Sequence, residues 1–413
     1  MNRRDFFRTS TLGAATGIGA TSVAATTPDP IPATQWKPAP DLGTHYEVFE
    51  KLSARCEPSM SFLNPAYGDP ISWTQEARKT LQACLLYRDQ TRDLAPEVVS
   101  QEDCGDFTRE RVVINTTAGH RAALYLLIPK GLSKPAPAIV ALHDHGGFYL
   151  WGKEKITAVE PIHPELQRFK DQYYSGRNIA DELARLGYVV VIPDMMHWGE
   201  RGMYFEADPE RIRNRTAEVT AEDIKQFNAR SWAHEELIGR TALATGTTFS
   251  GIITWDDLCA ADYLCSRPEV DEERVGCVGL SLGSVRSIFL GALHPKVRAS
   301  VAVCWMAEYQ ALVRNNVRWA VGFTKLVPGL YSKLDWPDLA GLHWPGALMT
   351  INGLQDELYP LASAKSAVAK IERIFEKMGV SENYEGVFFD APHEFNREMQ
   401  EKAFAWLAIQ LAK

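Results

Sequence analysis

Basic charge is what this sequence is short of: 44 lysines and arginines stand against 52 aspartates and glutamates, a formal net charge of −8. Phosphate backbones are held by a basic face, so nucleic acid is set aside as a partner. Long apolar runs are missing as well. No stretch beyond the N-terminus reaches the roughly 18 uninterrupted apolar residues of a membrane span, and the mature chain is expected to be soluble. Cysteine is sparse, and none of Cys56, Cys84, Cys104, Cys259, Cys265, Cys277 and Cys304 forms a CxxC pair or a metal-ligand spacing. The last four lie in apolar elements and read as small buried hydrophobes. Export would permit a disulfide among Cys56, Cys84 and Cys104, but an odd total leaves at least one thiol out of any intrachain pairing. His143-Asp144-His145 invites a metal reading, yet further ligands such as His163 or His197 are not at a recognisable spacing. No metal and no cofactor is expected. Repeats and low-complexity tracts are absent too.

What is present begins with a targeting segment. Asn2-Arg3-Arg4-Asp5-Phe6-Phe7-Arg8 precedes a weakly apolar run, Leu12 to Ala25, rich in Gly, Ala and Thr. A charged start, a short apolar middle and a small-residue exit are the layout of a secretory signal. The paired arginines before Phe-Phe resemble a twin-arginine signal, which implies export to the periplasm or beyond. Removal of residues 1–25 takes away three arginines and one aspartate and leaves a net charge of −10. Residues 26–44 are rich in Pro and Thr and read as a linker. Residues 45–105 read as a helical accessory segment, most clearly from Trp73 to Asp89.

From about residue 106 the rhythm changes. Short β-branched runs appear at Arg111–Thr117, Ala122–Ile128, Ala136–Leu142, Tyr188–Ile192, Arg274–Leu280, Ala299–Cys304, Gly346–Ile351 and Tyr384–Phe389. Amphipathic stretches of helical length separate most of them, which predicts an α/β fold with a mostly parallel eight-stranded sheet covered on both faces. The first two runs have no helix between them and should pair as an antiparallel hairpin at one edge. An insertion near 195–250, with a helical stretch around Glu218–Arg240, stands where a lid or pocket wall would lie.

Gly279-Leu280-Ser281-Leu282-Gly283 matches G-x-S-x-G, a modest signal by itself. It gains specificity from its setting, because the apolar run Val275–Leu280 precedes it and the helical run Val285–Leu293 follows. A nucleophile elbow requires that strand–turn–helix context. A serine nucleophile needs a base, and the base needs an orienting carboxylate. Asp356 lies just past the run ending at Ile351, with Glu357 and Asp390 as fallback carboxylates. His393 is the one histidine of ten beyond both Ser281 and Asp356. The backbone N–H of Leu282 should begin a helix and aim at a developing oxyanion. A second donor is sought in Ala141-Leu-His-Asp-His-Gly-Gly147, at the amides of His145 and Gly146, within one residue of register.

From about 110 to the C-terminus the chain resembles the dienelactone-hydrolase and acetylxylan-esterase-like branch of the α/β-hydrolases. The likeness is carried by Leu142-His-Asp-His-Gly-Gly-Phe148, by Trp198-Gly-Glu-Arg-Gly202, and by the run from Trp255 through Arg267-Pro-Glu-Val-Asp271 into the elbow. It implies the α/β-hydrolase fold and a cofactor-free serine hydrolase of short-chain esters, possibly acetyl esters on carbohydrate. Lactones and peptides are alternatives, as is a non-catalytic carbohydrate-binding protein. The partner implied is a small-molecule or carbohydrate ester. Met195, Met196, Trp198, Met203, Tyr204 and Phe205 are candidates for an apolar pocket wall, with core packing the equal alternative, and Trp305 and Met306 are similarly placed. Arg201 suits a structural salt bridge better than a substrate contact.

Overall fold

The computed structural model describes residues 42–87, 93–117, 120–314 and 316–412. The targeting segment and most of the linker lie outside the described residues. Nine strands form one sheet: β1 (Glu97–Asp103), β2 (Phe107–Asn115), β3 (Arg121–Pro129), β4 (Ala136–Leu142), β5 (Val189–Pro193), β6 (Val270–Leu280), β7 (Val297–Val303), β8 (Ala347–Gly353) and β9 (Tyr384–Phe389). Their spatial order is β1-β2-β3-β5-β4-β6-β7-β8-β9. From β5 onward every neighbouring pair is parallel, while β1, β2 and β3 run antiparallel to their neighbours. This is the α/β-hydrolase fold.

The buried stretches of the parallel strands are predominantly apolar because helices cover both faces. Every residue of β5 is buried, as is every residue of β8. Phe249–Cys265 and Leu282–Leu293 pack on one face, with the amphipathic helix Leu361–Lys377 beside them. Ile179–Arg185 and the C-terminal helix Arg397–Gln410 pack on the other.

The expected eight strands are joined by a ninth. β1 falls inside the segment read as helical, pairing with β2 from Glu97↔Val113 to Asp103↔Thr108. All seven of its residues are exposed, so its sequence EVVSQED carries no apolar alternation from which a strand is legible. The rest of that segment is helical at Tyr46–Ala54 and Pro70–Leu85. Asp69 caps the second helix by accepting from the N–H groups of Ile71 and Ser72, with Pro70 at the first helical position. Its buried face, Trp73, Ala77, Leu81 and Leu85, joins the same apolar cluster as Ile371, Ile374 and Phe375.

The insertion contains a 24-residue helix, Ala221–Ala244, started by a capping box between Thr220 and Asp223. All seven cysteines are free thiols, so no bridge joins Cys56, Cys84 or Cys104. Among the described residues no helix is long and apolar enough to cross a membrane.

Candidate active site at the strand ends

Ser281 stands between β6 and the helix Leu282–Leu293 with φ 57° and ψ −114°, backbone angles that a serine rarely adopts. The surroundings enforce that strain. Ser281 N–H donates to Val303 O at 2.8 Å, and Ser284 Oγ donates to Gly279 O at 2.9 Å. Glycine is required on both sides: a Cβ on Gly279 would come 2.4 Å from the Gly283 backbone, and one on Gly283 would come 2.2 Å from Leu142 O. The turn therefore projects Ser281 from the carboxyl end of β6 into a cavity of about 580 Å³.

His393, in the loop after β9, lines the same cavity. Its Nδ1 lies 2.7 Å from Asp356 Oδ2, in the loop after β8. The other carboxylate oxygen of Asp356 accepts from Leu358 N–H at 2.9 Å, which holds the group in place. A carboxylate at Nδ1 fixes the imidazole tautomer and leaves Nε2 for proton transfer. Among the described residues no hydrogen bond joins Ser281 to His393; the two side chains share the cavity wall. Asp390 instead accepts from Gln355 Nε2 at 2.8 Å.

Residues 144–147 also line the cavity. Lys155 Nζ donates to the carbonyls of Asp144 (3.0 Å) and His145 (2.9 Å), which pins the backbone of this turn. The Asp144 carboxylate, buried, accepts from Tyr174 OH at 2.6 Å. Gly146 has φ 56°, and a Cβ there would meet Asp144 Oδ2 at 2.4 Å and the Phe169 ring at 2.5 Å. Among the described residues the amides of Leu282, His145 and Gly146 have no protein acceptor, whereas Gly147 N–H donates to His145 Nδ1 at 3.0 Å. That bond requires His145 to carry its proton on Nε2, which donates to Glu235 Oε2 at 2.7 Å. Tyr149 OH donates to the same oxygen at 2.7 Å. Burial pushes the Glu235 carboxyl up, but His145 and these hydrogen bonds outweigh it and hold it down at about 2.

The donor set argues against a metal centre. His143 is fully buried, with Nδ1 2.9 Å from Asp144 O and Nε2 accepting from Met195 N–H. Burial and the neighbouring cations keep it neutral, and both its nitrogens are engaged. Glu154, Asp194 and Glu200 converge, but Lys153 Nζ already lies 2.6 Å from Asp194 and 2.7 Å from Glu200, and Arg215 lies 2.6 Å from Glu154. Cys304 gathers with Asp356 and His393, where burial pushes its thiol up and keeps the proton on sulfur.

The apolar insertion residues do not line the cavity. Met195 and Trp198 are core, and Phe205 is exposed. Trp305 and Met306 are also core, with the Trp305 ring tilted against Trp336 at 4.5 Å between centroids. Arg201 forms a buried salt bridge to Asp256 at 2.6 Å. The far wall comes instead from Trp232, Glu235 and Glu236 of the insertion helix and from Arg318, Trp319, Phe323 and Lys325. Those residues carry no motif; only the fold brings them to the Ser281 turn.

A family profile described as the Abhydrolase family matches residues 42–377, and the chain belongs to that family. The "Putative hydrolase YtaP" of Bacillus subtilis (strain 168) is 24% identical over 309 residues, 75% of this chain and 90% of that protein. Among solved structures, a "putative acetyl xylan esterase" from Bacteroides fragilis NCTC 9343 superposes at a TM-score of 0.65 with 17% identity, covering 84% of this chain and 82% of that one. A glucuronoyl esterase from Solibacter usitatus gives a TM-score of 0.57 at 17% identity, over 86% and 97%. At such identities these two structures speak for the fold.

Proposed function

We propose that the protein is a serine hydrolase of carboxylic esters, acting on short acyl groups such as acetyl carried by carbohydrate. One observation carries the reading: a serine held at φ 57° by a glycine-flanked turn shares its cavity with a histidine hydrogen-bonded to a buried-side aspartate. In this mechanism His393 Nε2 takes the Ser281 proton as Oγ attacks the ester carbonyl, and Asp356 stabilises the imidazolium through Nδ1. The oxyanion accepts hydrogen bonds from the amides of Leu282 and of the His145–Gly146 turn. His393 then protonates the leaving alcohol, the C–O bond breaks, and water repeats the cycle on the acyl-enzyme to release acid and free Ser281. No metal takes part in any step.

Carbohydrate as the alcohol is supported by Trp232 and Trp319 on the cavity lining, 46% and 56% exposed with ring centroids 5.9 Å apart and planes tilted by 37°, exposed aromatic faces of the kind a sugar ring covers. The neighbours named for acetyl xylan and glucuronoyl esters support the same class. A fluorophosphonate probe is expected to label the wild type at Ser281 and to leave Ser281→Ala unlabelled; a folded, unlabelled wild type would sink the reading. A panel of 4-nitrophenyl acyl esters, acetylated xylan, lactones and short peptides then ranks substrates, with acetyl esters expected first. We further propose twin-arginine export, for which Arg3-Arg4→Lys-Lys should trap the precursor in the cytoplasm by fractionation.

A further inference from the structure

Deep in the cavity lies a cation that the proposed chemistry does not use. Lys325 is only 7% exposed, yet lines the cavity. Among the described residues no carboxylate lies within 4.0 Å of its Nζ, and its single hydrogen bond is a long one of 3.4 Å to Tyr359 OH. Burying an ammonium with so little compensation is costly unless a ligand completes its shell. Glu235 supplies the complementary half. Its Oε2 is saturated by His145 and Tyr149, whereas Oε1 lies over Gly322, where an added Cβ would come within 2.9 Å of it, and accepts from no described residue. Thr324 Oγ1, also on the lining, is buried without a partner.

An open donor and an open acceptor of opposite charge, facing one cavity but too far apart to pair, suit a group that both accepts and donates. A hydroxyl does both. A carboxylate suits it less, because it donates no hydrogen bond to Glu235 and because Asp144, Glu235 and Glu236 outnumber Lys325 and Arg318 on the lining. We propose that Lys325 and Glu235 form a hydroxyl-reading subsite for a neutral polyol or sugar, Lys325 Nζ donating to a ring hydroxyl and Glu235 Oε1 accepting from one. The inference rests on the esterase reading for what is cleaved, but it makes a claim about binding that is measured separately.

Calorimetric titration of the inert Ser281→Ala protein with xylotriose is expected to show binding, weakened at least ten-fold when Lys325→Met or Glu235→Gln is added. Glu235→Gln keeps an acceptor for His145 and turns a donor toward the cavity. Circular dichroism and thermal melting verify that each variant folds. In the active enzyme, the ratio of kcat/KM on acetylated xylotriose to that on 4-nitrophenyl acetate should fall at least ten-fold in Lys325→Met. A lysine that merely props Tyr359 near His393 would lower both substrates together and leave the ratio constant, which overturns the proposal. Equal xylotriose affinity in all variants, no xylotriose binding at all, or Lys325-dependent binding of free glucuronate in preference to xylotriose would also overturn it. Fluorophosphonate labelling and 4-nitrophenyl acetate turnover report on the esterase reading by themselves, so the two can fail separately.

Discussion

Asp356 and Lys325 show opposite uses of a buried-side charge. The Asp356 carboxylate is held by Leu358 N–H and by His393 Nδ1. Asp356→Asn preserves that shape but presents a donor to Nδ1, which favours the wrong imidazole tautomer. We expect kcat on 4-nitrophenyl acetate to fall by about 10⁴ with little change in KM, as seen when such an aspartate is amidated. Lys325 is instead left nearly unpaired, and burial pushes its ammonium down to about 8 against the attraction of Glu235 and Asp356. Tyr359, beside it, is pushed well above 10 and stays neutral. Between about pH 8 and the ordinary lysine value of 10.5, the unfolded chain therefore binds more protons than the folded one. Stability from this group rises with pH across that window, and below it the full cost of the buried charge applies. Lys325→Met removes the cost. Urea unfolding should find the variant more stable than wild type at pH 7, with the margin shrinking by pH 10.

The elements around the turn are tied by a buried ion pair. Arg286, on the helix that follows Ser281, meets Asp257 on the helix Phe249–Cys265 at 2.6 and 2.8 Å. It also donates to His143 O at 3.2 Å, which links the helix Leu282–Leu293 to the 143–147 turn. Arg286→Leu would strand the Asp257 carboxylate, whose burial already pushes its pKa up. The expected loss is about 3–5 kcal/mol in denaturant unfolding. Adding Asp257→Leu should recover most of it, since the penalty lies in the unpaired charge. If the double variant is as unstable as the single one, the pair is not what holds these helices.

Across the whole molecule, the N-terminal helix Pro70–Leu85 belongs to the same core as the sheet. Trp73 is fully buried, donates from Nε1 to Met60 O at 2.7 Å, and packs against the tilted Phe62 ring at 5.1 Å between centroids. Lys377, at the end of the long helix after β8, donates to Tyr67 O at 2.6 Å. Trp73→Ala is expected to cost about 3–5 kcal/mol and to lower a single thermal transition. Separate transitions for this layer and the sheet, followed by near-ultraviolet circular dichroism and calorimetry, would show that it folds independently.

Strand and helix periodicity, the glycine-flanked Ser281 and the chain order of Ser281, Asp356 and His393 were legible from local sequence, because each depends on neighbours a few residues away. β1 was not, since an exposed edge strand has no buried face to impress a pattern on its sequence. The cavity wall was not legible either. Trp232, Glu235, Trp319 and Lys325 come from segments some 90 residues apart and meet through packing alone, so nothing in their own neighbourhoods marks them. The sequence by itself determined the sheet and the turn that presents the serine. Only the tertiary structure decided what faces that serine, because complementarity to a substrate is a property of surfaces assembled at long range.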